Sequence, residues 1–423
     1  MSLWQPILVL ATIALAVGLR FTKNFRGYQF TAWIIVAVAA AMVYPEKFLH
    51  LGNFDLRSKW LILAVVQLVM FGMGTQMSLS DFAGVIRSPR GVFVGVVCRF
   101  TVMPLIGWVL IQIFHFEPEI AAGVILIGSC SSGLASNVMA YLAKANIALS
   151  VTITAVTTVL AVVLTPLWMK LLAGTLVEVK LGDMMLEITK ITLVPIGAAL
   201  LHDYLKHASP RGRKVVLVVA LIGAIWIGFL ALGGWDRISS GASQSGATAA
   251  NLSGFVLGAI LFGFGYHQFT RVFKGLDARI PLLSMAGIVY FTAVTTAAGR
   301  DNLLSVGALL FLVAAIHNTA GYTLGYWIAR ATGLDKNSAR SIAFEVGIQN
   351  GGMASGIAGA AGKLGTMGLA AAIFSPWMNV SGSVLANHWR KRPCAMPPCA
   401  PSEAVSFSPQ RGEGSRMRGE TTE

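Results

Sequence analysis

The chain has 423 residues, of which 55% are hydrophobic and only 12% are charged, and its mean hydropathy is +0.70. Because soluble domains carry about 25% charged residues, this composition excludes an ordinary water-facing surface and predicts an integral membrane protein. The formal net charge is +14, but the basic residues collect in short loops between apolar stretches. The lipid bilayer, and not nucleic acid, is therefore the predicted partner.

Apolar segments recur along most of the chain. A membrane-spanning helix needs roughly 20 mainly apolar residues, and by this measure about thirteen segments are candidates. In chain order they are 4–19, 28–43, 60–77, 92–113, 120–142, 148–172, 186–201, 215–232, 252–266, 280–297, 303–328, 342–361 and 367–386.

The charges of the connecting loops predict an orientation. Loops 117–119 and 239–249 are acidic or weakly charged, whereas other loops are basic. Because basic loops stay in the cytoplasm, we expect a multi-pass plasma (inner) membrane protein with its N-terminus outside and its C-terminus inside. The basic loops are 20–26, 87–90, 206–214, 271–279, 330–340 and 390–392.

The two ends of the chain differ in character. Residues 1–6 contain no lysine or arginine, so the first apolar segment lacks the basic start of a signal peptide and is predicted to be an uncleaved membrane helix. From Pro393 onward the chain is rich in Pro, Ser, Gly, Arg and Glu, which predicts a disordered tail.

Two apolar segments combine glycines with oxygen-bearing side chains. They are residues 128–138, GSCSSGLASNV, and residues 344–352, FEVGIQNGG. Glycine clusters permit a membrane helix to unwind, which is tolerated only where protein or a water-filled cavity satisfies the freed backbone. Exposed carbonyls and side-chain oxygens together predict a site for a hard cation such as Na⁺.

Glu345 is the residue that a membrane tolerates least. An ionised carboxylate near the bilayer centre costs a few kcal/mol, so we expect it to be paired or to coordinate a cation. The alternative is that Glu345 lies near a helix end and reaches the interface. Gln349 and Asn350 fall within about one helical turn of it, which favours a polar cluster.

Four further oxygen-bearing side chains flank the short turn 144–147. Ser150 and Thr154 are four residues apart and therefore share one helical face. Ser136 and Asn137 precede the turn. Small polar residues also serve as helix packing contacts, but the four together favour an ion site.

At these residues the sequence resembles the bile acid:sodium symporter family. The matching strings are ASNVMAYLA at 135–143, NIALS at 146–150 and IAFEVGIQN at 342–350. Supporting strings are MFGMG at 70–74, NTAGY at 318–322 and NVSGS at 379–383. The likeness covers roughly residues 30–390 and is interrupted once.

The resemblance implies an all-α polytopic membrane protein. Its ten-helix core would consist of two inverted five-helix repeats, each with one broken helix, and the two broken helices would cross near the midplane. The implied function is Na⁺-coupled symport of a small organic anion by alternating access, which is not an enzymatic activity.

The resemblance also implies ligands for the ions and the substrate. Candidate substrate contacts are Asn350, Leu134 and Asn379, beside half-helix N-termini whose partial positive charge favours anions. The first sodium site would use Ser136, Asn137, Ser150, Thr154 and Glu345. A second would use the side chains of Glu345 and Gln349 with the backbone carbonyls of Val346 and Ile348.

One departure from the family concerns the number of ions. Arg99 occupies a position where the family's second sodium site usually has glutamine, and arginine has no lone pair to offer Na⁺. We hypothesise that its guanidinium replaces the second ion and pairs with Glu345, which leaves one Na⁺ instead of two. Alternatively, Arg99 points elsewhere, for example towards an anionic substrate.

Other departures concern the breaking segment and the ends of the core. CSSG at 130–133 stands where the family often has a proline and paired glycines, and Leu134 replaces a small polar residue, so substrate contacts there do not transfer. Relative to the ten-helix core, the chain adds segment 4–19 at its start and a hairpin of two apolar segments at about 211–276, which is expected to be a scaffold or a homo-oligomer contact. The predicted organisation is an extra N-terminal helix and basic loop (1–27), the first part of the core (28–210), an inserted two-helix hairpin (211–276), the rest of the core (277–390) and a disordered cytoplasmic tail (391–423).

Two rival functions remain open from the sequence. An arsenite or metalloid efflux carrier of a related family would use a cysteine such as Cys130 on the broken helix. A non-transport membrane protein, such as a sensor or channel, is the other alternative. An intramembrane enzyme is disfavoured, because the sequence contains no HExxH or GxSxG motif.

Overall fold

The computed structural model describes residues 4–21, 29–241 and 243–392, and these residues are almost entirely helical. Two short strands, His50–Leu51 (β1) and Phe54–Asp55 (β2), pair in an antiparallel hairpin. Gly52 has a positive φ of 62° in the turn between them, a conformation that glycine adopts without steric cost. The predicted all-α class is confirmed.

The first half of the chain contains long apolar helices joined by short turns. A 3-10 turn, Leu79–Ala83, follows the fourth helix. The helices are α1 (Trp4–Phe21), α2 (Gln29–Val43), α3 (Pro45–Leu49), α4 (Lys59–Gly74), α5 (Gly84–Arg87), α6 (Pro89–Ile113), α7 (Pro118–Ser129), α8 (Leu134–Leu142) and α9 (Ile147–Ala173).

The second half begins with one continuous helix, Leu181–His207, which contains a π-helical turn at Thr189–Leu193. A second π-helical turn, Leu230–Gly234, follows α12. The helices are α10 (Leu181–Ile188), α11 (Val194–His207), α12 (Pro210–Phe229), α13 (Trp235–Gly241), α14 (Gln244–Val272), α15 (Leu276–Ala298), α16 (Arg300–Ala331), α17 (Lys336–Gly347), α18 (Gly351–Ala360) and α19 (Leu369–Arg390).

Within the described residues, eight helices are long and apolar enough to cross a membrane. The number is nine if α4 and the helical segment Leu79–Arg87, which is bent by 64° relative to α4, form one span. Every predicted apolar segment coincides with a helix or with a pair of half-helices. Segments 120–142 and 342–361 are both broken in the middle, so their halves are too short to count as spans. The multi-pass architecture is thus confirmed, while the orientation of the termini stays a prediction.

The helices pack in two groups. In the first, α15 packs against α2 and α4, and α4 packs against α11. In the second, the long helices α6, α9, α16 and α19 pack against the half-helices α7, α8 and α17, while α18 lies between α19 and α4 of the first group. The order of long helix, broken helix and long helix occurs twice, and it places both breaks in the interior of the second group.

The helices α12 and α14 form a hairpin that packs against α11. The approach is close at Gly263, where a Cβ atom would lie 2.6 Å from the carbonyl oxygen of Ala198. Only 6% of the most apolar 18-residue stretch of α14 is buried inside the protein. Most of the surface of this helix is therefore available to lipid. The assignment of this hairpin as an insertion, like the other predicted boundaries, stays a prediction, and residues 393–423 of the predicted tail lie outside the described residues.

Candidate functional site

The two broken helices meet at their breaks. Linker 130–133 separates α7 from α8, and linker 348–350 separates α17 from α18. The linkers lie side by side, because Ser132 and Gln349 form an antiparallel bridge. Protein groups therefore satisfy unwound backbone at a depth where lipid offers no hydrogen bonds. We call residues 130–133 and 348–350 the crossing.

The close contact of the two linkers depends on Gly133. A Cβ atom at this position would lie 2.5 Å from the backbone oxygen of Gln349, a distance that real Cβ contacts do not reach. Any larger residue at position 133 must therefore push the two linkers apart.

Gly133→Ala is expected to lower the free energy of unfolding by about 1–3 kcal/mol, because added carbon in a packed site forces the backbone to shift. The measurement is the Tm of the purified protein in detergent. Gly182→Ala is the matched control, because the rest of the described structure places no atom beyond its own helix backbone within 4 Å of the added Cβ. Equal Tm values for the two variants would contradict the role of Gly133.

The carboxylate of Glu345 is the centre of a buried polar cluster. Glu345 lies in the last turn of α17 and has no exposed surface. Its Oε1 accepts hydrogen bonds from the hydroxyls of Ser136 at 2.6 Å, Ser150 at 2.5 Å and Thr154 at 3.1 Å. Thr154 also donates to Oε2 at 2.9 Å. The carboxylate therefore faces protein hydroxyls and not lipid or the interface.

Asn137 joins the same cluster. Its side-chain oxygen lies 2.9 Å from the hydroxyl oxygen of Ser150 and 3.3 Å from that of Thr154. The structure thus brings together all five residues predicted for the first sodium site, from α8, α9 and α17. Their role as sodium ligands stays a prediction.

Gln349 presents a free oxygen at the crossing. Its Nε2 donates to the backbone carbonyl of Val346 at 2.8 Å, while its Oε1 is buried and has no hydrogen-bond partner among the described residues. Leaving a buried acceptor unpaired costs about 1–3 kcal/mol, which a bound cation would offset. Ile348 lies beside it in the linker and is fully buried.

Arg99 of α6 reaches the crossing and is fully buried. Its Nη1 donates to the carbonyl of Val346 at 3.1 Å, and its Nη2 donates to the carbonyls of Ser131, at 3.0 Å, and Cys130. These carbonyls lie at the C-terminal ends of α7 and α17, where unpaired oxygens carry partial negative charge.

This arrangement corrects one part of the sequence-based hypothesis. In the described part of the chain no ion pair joins Arg99 to Glu345. The guanidinium contacts backbone carbonyls, because the ends of two half-helices offer several acceptors that its planar fork can bridge at once.

The three candidate substrate residues differ in position. Asn350 caps α18, with its Oδ1 accepting from the N–H of Met353 at 3.0 Å, and so lies in the crossing. Leu134 begins α8 and is half-buried. Asn379 is on α19, and its amide donates to the carbonyl of Ser375 in the same helix at 2.8 Å.

Sequence reasoning assigned no role to three residues that support the crossing. Ser132 donates to the backbone oxygen of Glu345 at 2.8 Å. Asn318 donates to the carbonyl of Gly347 at 2.9 Å and accepts from Ser381 at 2.6 Å. Asn318 and Ser381 lie in strings that carried the family resemblance, but their partners are distant in sequence and spacing could not identify them.

The helix ends give the crossing a mixed electrostatic character. The C-terminal ends of α7 and α17 point towards it with partial negative charge, and the N-terminal ends of α8 and α18 do so with partial positive charge. Discontinuous helices in transporters bind cations and anionic groups in this way. The site is thus suited to hold both signs of charge.

Comparison with known proteins agrees with this geometry. The model described as the Sodium Bile acid symporter family matches residues 63–237. The sodium-dependent transporter YocS of Bacillus subtilis is 32% identical over 374 residues, which cover 88% of this chain and 94% of that protein. This chain belongs to the sodium bile acid symporter family. The predicted family is therefore confirmed.

Other similar proteins are more distant. The probable sodium/metabolite cotransporter BASS1, chloroplastic, of Arabidopsis thaliana is 27% identical over 365 residues, covering 86% of this chain and 73% of the relative. The ileal sodium/bile acid cotransporter of Homo sapiens is 28% identical over 322 residues, covering 74% and 73%. The match to the family model, residues 63–237, includes Arg99 but ends before Glu345. The assignment of Glu345 to the site therefore rests on the geometry.

Proposed function

We propose that this protein carries a small organic anion across the membrane in symport with Na⁺. The observation that carries the proposal is the fully buried carboxylate of Glu345, which three hydroxyls surround beside the crossing. Membership of a family of sodium symporters supports it, as do the similar proteins whose names describe sodium-dependent transport and sodium cotransport.

The donor set of the cluster fits Na⁺. A hard cation is held by oxygen ligands, and the carboxylate of Glu345 supplies the compensating charge. Each hydroxyl around it also has lone pairs that a cation can use. The amide oxygen of Asn137 completes the proposed first sodium site with Ser136, Ser150 and Thr154.

The N-terminal ends of α8 and α18 suit the anion. Their partial positive charge favours a carboxylate or sulfate group, with Asn350 as the polar side chain in the crossing and Leu134 as its apolar neighbour. Na⁺ bound at Glu345 would neutralise the carboxylate and so remove its repulsion of an anion. By linkage, the anion would strengthen Na⁺ binding by the same factor.

Transport requires that the site open to each side in turn. In transporters with discontinuous helices this is largely a rigid-body motion of one helix group against the other around the fixed site. The group formed by α2, α4, α11 and α15 is the proposed mobile partner of the group that holds the crossing. The proposed orientation keeps the N-terminus outside and the C-terminus in the cytoplasm.

We further propose that one Na⁺ accompanies each anion. The guanidinium of Arg99 donates to the carbonyl of Val346, which is an acceptor that a second Na⁺ would need. The guanidinium also places a positive charge at the ends of α7 and α17, as a second Na⁺ would. Two cations close together in a buried site repel strongly, so Arg99 disfavours a second ion there.

The test of the proposed function is uptake by proteoliposomes of a panel of organic anions, with a Na⁺ gradient and with an equal K⁺ gradient. We expect uptake of at least one anion that requires inward-directed Na⁺ and that stops when the gradient is abolished by an ionophore. Uptake that is equal in Na⁺ and K⁺ would contradict the proposal.

Thr154→Val is expected to raise the Na⁺ concentration for half-maximal uptake by roughly tenfold or more, because a hydrogen-bonding group beside a charge is worth about 1.5–3 kcal/mol. The valine keeps the shape of the threonine but offers no oxygen. The control is Thr323→Val on an exposed face of α16. An unchanged Na⁺ dependence in Thr154→Val would argue against the first sodium site.

A further inference from the structure

A cleft follows the seam between α14 and the continuous helix Leu181–His207. The two helices run in the same direction, since Lys190 lies beside Phe255 near one end and His202 lies beside His267 near the other. At the second end, buried side chains join the helices directly. Towards the first end lie two neighbouring chambers, an apolar one and a polar one.

The chambers differ in chemistry. The apolar chamber has a volume of about 480 Å³ and lies between α4, α11 and α14. The polar chamber has a volume of about 340 Å³ and lies between α10, α13 and the start of α14. The apolar chamber is lined mainly by side chains such as Leu68, Phe71, Val194, Phe255, Ala259 and Phe262. The polar chamber is lined by residues that include Asp183, Glu187, Lys190, Trp235, Gln244 and Asn251.

Along α14 the polar chamber comes first and the apolar chamber follows, in the order of a lipid headgroup and its acyl chain. The polar chamber contacts the first turns of α14, from Gln244, and the apolar chamber extends to Phe262. At 1.5 Å per residue, these positions are about 27 Å apart along the helix. The polar chamber is therefore at the end of two membrane helices, where Trp235 is the kind of aromatic residue found at the interface.

Lys190 lines the polar chamber and contacts two residues, Phe255 and Gln67, that line the apolar chamber. Its ammonium lies 5.4 Å from the centroid of the Phe255 ring, and its backbone carbonyl accepts a hydrogen bond from Gln67 at 3.2 Å. The side chain of Lys190 is only 17% exposed. It belongs to the π-helical turn Thr189–Leu193, and π-turns within α-helices occur frequently at functional sites.

We propose that this cleft binds one phospholipid of the surrounding bilayer, with an acyl chain in the apolar chamber and a headgroup that bears both an ammonium and a phosphate in the polar chamber. Both volumes fall in the range of about 300–1,000 Å³ that is typical of ligand sites. The lipid adds packing between α14 and α4 beside the direct contacts of Phe71 with Phe262 and Tyr266.

The charges of the polar chamber select the headgroup. Asp183 and Glu187 offer two carboxylates to an ammonium, and Lys190, which is 3.1 Å from Glu187, offers its own ammonium to a phosphate. Two negative charges against one positive charge disfavour a headgroup that is only anionic. A primary ammonium donates three hydrogen bonds whereas a trimethylammonium donates none, so phosphatidylethanolamine is the expected occupant.

The first test measures lipid that stays bound to the full-length protein. The protein is reconstituted in an equal mixture of phosphatidylethanolamine, phosphatidylcholine and phosphatidylglycerol, extracted in mild detergent and examined by native mass spectrometry. We expect one phosphatidylethanolamine per chain in the wild type. Ala259→Leu should fill the apolar chamber and remove this lipid, whereas Ala249→Leu, on an exposed position of the same helix, should retain it.

Wild-type protein without retained lipid would overturn the proposal. Equal retention by Ala259→Leu and Ala249→Leu would also overturn it, because the lipid would then be part of the general lipid shell. These outcomes do not depend on transport, so they are separate from the test of the symport function.

A second variant tests the headgroup without filling the chamber. Asp183→Asn is expected to keep the bound lipid but to lower the preference for phosphatidylethanolamine over phosphatidylcholine by up to about fivefold, the effect of one partly exposed ion pair. Asp301→Asn is the control, because its side chain is 95% exposed and lies on another helix. An unchanged preference in Asp183→Asn, or a wild-type preference for phosphatidylglycerol, would contradict the proposed headgroup.

Discussion

Glu345→Gln is expected to abolish Na⁺-driven uptake, with an initial rate at least about 100-fold below that of the wild type. Loss of one partner from a buried charge pair costs about 3–5 kcal/mol, and here the lost partner is the carboxylate that the proposed Na⁺ needs. The amide has the same size and can still accept hydrogen bonds from Ser136 and Ser150, so we expect the protein to fold. The measurement is the initial rate of anion uptake by proteoliposomes that contain equal amounts of folded protein.

Glu178→Gln is the matched control for this substitution. The side chain of Glu178 is 80% exposed and lies 3.5 Å from Lys180, so the loss of its charge should leave uptake unchanged. A Glu345→Gln protein with near wild-type uptake would mean that the carboxylate plays no part in coupling.

Arg99→Gln is expected to change the number of ions that are coupled to transport. Glutamine removes the positive charge at the ends of α7 and α17 and supplies an oxygen ligand, so a second Na⁺ can enter. The Hill coefficient for Na⁺ should rise from about one in the wild type towards about two in the variant, as expected when two ions bind together. The measurement is anion uptake as a function of Na⁺ concentration at constant ionic strength.

Arg99→Lys separates charge from geometry. Lysine keeps the positive charge but is a compact donor that cannot match the planar fork of arginine. We therefore expect a lower Tm than that of the wild type, with the Hill coefficient still at about one. A wild-type Hill coefficient of about two would refute the single-ion proposal, whatever the variants do.

The fold was largely predictable because the membrane restricts the choices. Lipid offers no hydrogen bonds to backbone groups, so long apolar segments must be helical, and each of the predicted segments coincides with helix. The breaks were harder to locate. Glycine and polar residues indicated where unwinding was tolerated, but the limits of linkers 130–133 and 348–350 depend on contacts between segments more than 200 residues apart, such as the bridge between Ser132 and Gln349.

The polar cluster could be predicted in composition but not in every contact. Glu345, Asn137, Ser150 and Thr154 stood out because each is costly or unusual in an apolar segment, and family resemblance grouped them. The contacts of Arg99 were less predictable, because backbone carbonyls have no sequence signature. The expectation that Arg99 pairs with Glu345 treated the carboxylate as the nearest acceptor, whereas the half-helix ends offered three carbonyls.

The seam beside the hairpin shows the same limitation. The sequence identified an apolar pair of helices, expected to be a scaffold or an oligomer contact, but it could not indicate that Lys190 and Phe255 would meet. Lys190 lies in a π-helical turn, and Gln67 of α4 donates a hydrogen bond to its backbone carbonyl. The periodic spacing of apolar residues predicts a helix, but it does not reveal a single π-helical turn within that helix.

Equilibrium binding of radioactive sodium to the purified protein tests the central claim most directly, since it needs no knowledge of the transported anion. We expect about one Na⁺ per wild-type chain, as one oxygen site with one carboxylate requires, and no specific binding to Glu345→Gln. Equal binding by the wild type and Glu345→Gln would contradict the assignment of this carboxylate as the coupling site.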